Sequence, residues 1–110
     1  MAQKYLFQRE EDSIEVTLLR GQYQTNGNTA VAMAYENQEG EPCELVITVN
    51  LRDYLAPQYA YIDENNASGA TKFLTDIGAG QKIGIRGYNY CVYPLFKFNQ
   101  EFLDSLEAWE

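Results

Sequence analysis

Two-residue alternation, interrupted by turn residues, constrains this chain more than any other feature. Ile14, Val16 and Leu18 fall on one side of an extended segment, Glu15 and Thr17 on the other. Residues 29–36 repeat the pattern, with Val31, Met33 and Tyr35 opposite Ala30, Ala32 and Ala34. Side chains of a strand point alternately to its two faces, so each run reads as a strand with one buried face. Asn26-Gly27 stands between the runs. That dipeptide accepts positive φ at both positions of a two-residue hairpin turn and predicts one here. After the turn residues 38–42, Cys43, Leu45, Ile47 and Val49 supply another apolar face. The expectation is a three-stranded antiparallel meander over residues 14–49.

Downstream the period changes. Residues 50–57 read as a crossing loop, because Pro57 holds the residue before it extended, and residues 59–62 read as a short strand. Ala70, Phe73, Leu74 and Ile77 recur at helical spacing, which predicts a helix over 66–77. Asn65, Asn66 or Ser68 would cap its start, Asp63 and Glu64 would favour that positive end, and Gly78 would stop it. Residues 81–86 and 90–98 form a C-terminal hairpin, with Pro94 marking an edge or a bend. A short helix from Gln100 to about Ala108 would put Phe102, Leu106 and Trp109 on one face. At 110 residues this amounts to a single domain, 1–110, of the α+β class. It is mostly antiparallel sheet, a meander plus a hairpin, packed against one central helix and a short C-terminal one.

The segment 61–80, YIDENNASGATKFLTDIGAG, invites ligand readings that its spacing refuses. A calcium loop begun at Asp63 would need an oxygen ligand at Ala67 and a carboxylate at Leu74. A phosphate at the helix start would meet Asp63 and Glu64. Gly78-Ala79-Gly80 ends a helix and begins a strand, the reverse of a dinucleotide fingerprint. The chain has no histidine, which removes Ser-His and Cys-His mechanisms. No catalytic residue, metal site or cofactor is therefore expected. The N-terminal residues MAQKYLFQREED lack the apolar run of a signal peptide, and no window has the roughly 18 apolar residues of a membrane span. A cytoplasmic protein with Cys43 and Cys91 both reduced is the expectation, with Cys43 a small core residue.

Several elements of the second half have a further meaning together. Asp63-Glu64-Asn65-Asn66, Phe73-Leu74, Gly78, Gly80, Gly84, Gly87-Tyr88 and Tyr93-Pro94 with Phe98 resemble an uncharacterised family of small bacterial proteins. Its members are carried on conjugative elements and phage and are known only as a domain of unknown function. The resemblance implies no activity, cofactor or catalytic residue. It implies the setting of an accessory gene, and such genes often encode antagonists of host defence or helpers of transfer.

Two surface features bear on function. Sixteen acids against eight bases give a net charge of −8, which disfavours direct nucleic-acid binding. Glu36, Glu39, Glu41 and Glu44 crowd one turn, while Glu101, Asp104, Glu107 and Glu110 recur near the C-terminus. Solubility accounts for scattered acids; a shared face would let them compete with nucleic acid for a basic host protein. The nine tyrosines are the other feature, with Tyr88 and Tyr90 on one strand face and Cys91 and Tyr93 on the other. Tyrosine suits strands and is also enriched in interface cores. The expected function is a non-catalytic protein-interaction module, with Tyr88, Tyr90, Tyr93, Glu39, Glu41, Asp104 and Glu107 as candidate contact residues. The alternative is a small enzyme whose carboxylate-and-tyrosine site is assembled only by the fold. A deep pocket holding a perturbed carboxylate would favour the enzyme, and a flat patch the module.

Overall fold

The meander forms where the alternation puts it, and the chain then changes sheet. In the computed structural model, which describes residues 3–109, β1 (Lys4–Gln8), β2 (Ser13–Gln22), β3 (Thr29–Glu36) and β4 (Pro42–Val46) pair antiparallel in sequence order. Leu18 lies opposite Met33 and Met33 opposite Leu45, so the expected apolar residues share one face. The first strand was not legible: Tyr5 and Phe7 alternate over too short a run, yet they sit opposite Val16 and Ile14 and extend that face.

The β2–β3 turn differs from the expected two-residue type. Tyr23 and Asn28 still pair, through a 2.9 Å bond from the Tyr23 N–H to the Asn28 carbonyl, so four residues lie between them. Only Gly27 takes positive φ there, at 76°. Asn26 is drawn instead into a side-chain bond to Asn50, 3.0 Å from its Nδ2 to the Asn50 Oδ1.

At Ile47, fully buried, the strand turns a corner. Its N–H still bonds the Val31 carbonyl of the first sheet, while β5 (Thr48–Val49) pairs with β6 (Tyr59–Ile62) in a second. Val49 therefore leaves the apolar face expected of it and lies opposite Tyr61. The second sheet runs β5-β6-β8-β7, with β7 (Gly80–Tyr88) at its free edge and β8 (Cys91–Phe98) inside. Beyond Leu95, β8 has no β6 partner, so Pro94 falls where the strand pairs with β7 alone. A proline is tolerated at such a place.

Helix α1 (Ala70–Asp76) is shorter than the periodicity predicts. Gly69 at φ 88° precedes it, and no asparagine or serine side chain caps it. The acid does that work. The Glu64 carboxylate accepts from the N–H of Gly69 at 2.9 Å and of Thr71 at 2.7 Å. At the other end Gly78 has φ 80° and the Ala79 N–H reaches the Leu74 carbonyl, a Schellman ending. The C-terminal helix is likewise cut short. Helix α2 spans Gln100–Asp104, and Glu107–Ala108 form a strand, β9, parallel to β2 at Leu19 and Arg20. Glu107 is thus a strand residue, and Glu110 lies outside the described residues.

One core joins these layers. Val16, Leu18 and Met33 of the first sheet meet Ile62, Phe96 and Phe98 of the second, with Phe73 and Leu74 of α1 and Leu103 of α2 closing the sides. The result is α+β and mostly antiparallel sheet. No helix among the described residues is long and apolar enough to cross a membrane.

Candidate functional site

The outermost part of the second sheet is the β7–β8 hairpin, and its turn is unusual. Tyr88 pairs with Cys91, so Asn89 and Tyr90 form a two-residue turn. Both have positive φ, 47° and 66°, the pattern of a type I′ turn. Asparagine accepts that conformation; a bulky residue does not, and for an L-residue the left-handed region costs about 1–2 kcal/mol. Glycine would normally stand at position 90. Tyrosine stands there instead, wholly exposed at the tip.

The candidate tyrosines regroup. Tyr90 is a turn residue and not on the strand face expected of it. Tyr88 and Tyr93, expected on opposite faces, share one face with Arg86 and Cys91, because the two-residue turn sets Tyr88 opposite Cys91 and Arg86 opposite Tyr93. Tyr88 and Tyr93 are half-buried, Tyr88 with the Arg86 guanidinium 5.8 Å from its ring centre. Desolvation and the neighbouring Cys91 push the Tyr93 hydroxyl up. On the opposite face Ile85 lies across from Pro94. That face is apolar and open: Ile85 is 65% exposed and Val92 59%, and Ile83, at the bulge in β7, is 46% exposed.

Beside the hairpin the fold builds the carboxylate-and-tyrosine cluster that no local pattern announced. Asn28, buried, donates from Nδ2 to the Asp53 carbonyl at 2.5 Å and accepts from the Leu55 N–H at 3.0 Å. These bonds pin the crossing loop over the sheet. Asp53 Oδ2 then accepts from Arg86 Nε at 2.8 Å and from the Tyr61 hydroxyl at 2.6 Å. The guanidinium first, and the hydroxyl second, hold the Asp53 carboxyl down to about 2. Burial and the hydrogen bond to Asp53 push the Tyr61 hydroxyl up. A carboxylate that stays ionised and is bonded to two donors clamps the loop; it is not poised to exchange a proton near neutrality.

The acidic candidates do not converge on these groups. Glu39 and Glu41 occupy the exposed β3–β4 turn, where their N–H groups are held by the Asn37 side chain at 2.9 Å. Asp104 faces Arg20 at 3.5 Å. Glu107 sits across the β2 backbone, paired with Leu19 and not with Arg20. The two cysteines are free thiols. Cys43 is on the expected face but at its margin, half-exposed, so it is not a core residue.

A concavity lies elsewhere, between the β1–β2 turn and α1, with a volume of about 970 Å³. Phe7, Tyr35, Leu45 and Phe73 line it, and Arg9–Asp12 and Lys72–Asp76 ion pairs, each 2.6 Å, stand on its rim. Glu10 and Glu11 complete that rim.

These features define a small α+β protein of two joined, mostly antiparallel sheets with an exposed hairpin end. It belongs to the family described as a domain of unknown function (DUF4313), whose model matches residues 17–108. The match spans most of the meander as well as the second half, leaving out β1 and the first four residues of β2. No curated protein and no solved structure matches the chain.

Proposed function

We propose that this chain is a non-catalytic protein-interaction module whose contact surface is the tip and apolar face of the β7–β8 hairpin. The observation that carries it is Tyr90, a bulky side chain held wholly exposed in a backbone conformation suited to glycine. Strained exposed residues concentrate where a surface is used, since stability alone would replace them. Ile83, Ile85 and Val92 add apolar surface that a lone globule has no need to expose. A cytoplasmic accessory protein of a mobile element or phage, acting on a host protein, fits this surface. The acids at Glu39, Glu41, Asp104 and Glu107 are a less favoured contact, because Asp104 is engaged by Arg20. The small-enzyme alternative has its best candidate in Asp53 and Tyr61, yet that carboxylate is committed to Arg86 and does not line the concavity beside α1.

Affinity capture from the native cell with three tagged forms tests the proposal. Wild type and a Glu39→Lys/Glu41→Lys form should retain the same partner, and an Ile85→Ser/Tyr90→Gly form should lose it. Retention by the hairpin variant with loss by the turn variant would move the contact to the acidic turn.

A further inference from the structure

We infer that the free edge of β7 takes up an extended segment of a partner protein as an added strand. The inference rests on the hairpin being an interaction surface and names how that surface binds. The first observation is the edge itself. β7 is nine residues long, bounds the second sheet and pairs with β8 alone. The other outer strands are shorter: β1 and β4 have five residues, β5 and β9 two, and Pro42 opens β4. Short length, proline and charge are what keep a sheet edge from pairing with other chains. β7 has neither proline nor acid. Lys82 lies before the bulge at Ile83, and Arg86 is turned onto Asp53. Gly84–Tyr88 keep regular register with β8 beyond that bulge, and about five residues is a common strand length.

Opposed residues of an antiparallel ladder alternate between pairs that exchange both backbone bonds and pairs that exchange none. Tyr88 and Cys91 close the two-residue turn, so that pair and Arg86–Tyr93 bond to each other. Ile85 and Gly87 therefore turn their N–H and carbonyl groups away from β8. Among the described residues nothing meets the Ile85 groups or the Gly87 N–H, while the Gly87 carbonyl accepts from Arg86 Nη1 at 2.6 Å. The second observation concerns side chains. Of the six large apolar residues exposed among the described residues, Ile83, Ile85, Tyr90 and Val92 belong to this hairpin. Val92 stands open because Gly87 lies opposite it without a side chain. A Cβ on Gly84 would meet nothing within 4 Å, and one on Gly87 only the Cys91 carbonyl oxygen at 4.0 Å. An added strand would fill these gaps and continue the row of Ile85, Val92 and Pro94.

Backbone groups left free along an edge select an extended chain, with alternate side chains adding specificity. A helix bonds its own N–H and carbonyl groups and has none to give. The occupant is thus a strand of another protein, apolar at alternate positions. A second copy fits less well, since pairing β7 with itself would gather Lys82 and Arg86 of both copies on one acid-free ladder. The probe is a synthetic peptide of alternating valine and threonine with an aspartate at each end, titrated into the full chain while amide exchange is followed by NMR. Ile85 and Gly87 should gain protection saturably, by about tenfold or more at full occupancy, as expected of a hydrogen bond to a previously free amide. Arg86, already in the β8 ladder, should change little. The same peptide N-methylated throughout should protect neither residue. Ile85→Pro removes an N–H that β8 does not use, so the hairpin should persist and the peptide should no longer bind.

Absence of saturable protection at Ile85 and Gly87 overturns the inference, as does equal binding of the N-methylated peptide. The methylated peptide reads backbone pairing on unaltered protein, so the test holds even where Ile85→Pro disturbs the fold. Protection of the same amides without peptide, together with a rise above monomer mass in sedimentation, assigns the edge to a second copy and also overturns it. Partner capture that depends on Ile85 and Tyr90 while the peptide fails to bind defeats strand addition and leaves the interaction module standing. Capture indifferent to the hairpin defeats the module as well.

Discussion

At the scale of single residues, three positions are fixed by atoms that sequence patterns do not reveal. Gly80 pairs with Phe98 so closely that a Cβ would overlap the Lys97 carbonyl oxygen and come within 2.8 Å of the Phe98 Cα. Both obstacles are backbone and cannot swing aside. Gly80→Ala should destabilise by about 3 kcal/mol or more, the upper range for overpacking, readable as a lower urea midpoint. Asn28 holds the crossing loop through both ends of its amide, and Asn28→Ala leaves the Leu55 N–H and the Asp53 carbonyl unmatched. A loss of about 2–3 kcal/mol is expected from buried polar groups stranded in this way. Asp53 makes a prediction about pH. Its folded-state value of about 2 lies below the value of about 3.9 for an unfolded chain. The stability it contributes is therefore present above about pH 5 and is lost as pH falls through 4 towards 2. The gap in thermal midpoint between wild type and Asp53→Asn should narrow across that window. A gap that stays constant would show that the carboxylate charge contributes nothing.

At the scale of elements, the most informative contact is the one that β9 makes. Trp109 lies on the outer face of the first sheet, its side chain 3.5 Å from where a Cβ on Gly21 would be. Its Nε1 donates to Glu44 at 3.3 Å, two strands away. Ala30, Ala32 and Ala34 occupy the strand between, so their small side chains leave room for an indole that spans β2 to β4. Alanine is a poor strand former, and the row makes sense only with that cover. Trp109→Ala should cost about 1–2 kcal/mol, less than a fully buried aromatic. The single tryptophan reports its own environment, so native emission should shift to the red when Gly21→Ala crowds it. Much of the element pattern was legible: the meander, the crossing loop, Tyr59–Ile62, the final hairpin and the Gly78 stop. Each rests on period or on a turn residue within its own segment. What escaped depends on partners distant in sequence. β1 exists because β2 has a second edge, opposite the one that β3 takes, and its first half finds a partner there. β9 exists because β2 has a free edge beyond β1. The Glu64 cap reaches across five residues to Gly69, beyond the spacing of a capping box. At the candidate site, the tyrosines were visible as composition. The turn position that isolates Tyr90 was not, because Asn-Tyr lacks the glycine that normally announces such a turn.

At the scale of the whole molecule, an acidic body carries one acid-free projection, and the two differ in what holds them. The body is closed by a continuous core from both sheets and both helices. The distal hairpin beyond Leu95 lacks a β6 partner and is tied down by its own ladder and the Asp53–Arg86 clamp. Hydrogen exchange should accordingly be fastest at residues 84–94 and slowest at Val31, Met33 and Phe96, with local opening in the hairpin well below the global free energy. Asp53→Asn should speed exchange in the hairpin and leave β3 unchanged. The central claim is that Tyr90 is kept for contact at the expense of stability, and one substitution separates the two. Thermal unfolding and partner capture are measured on Tyr90→Gly beside wild type. Relief of left-handed strain outweighs the entropy lost on ordering a glycine, and the expected gain is about 0.5–1 kcal/mol. The account predicts a midpoint that is raised or unchanged, with capture lost. Undiminished capture by the Tyr90→Gly protein would contradict it.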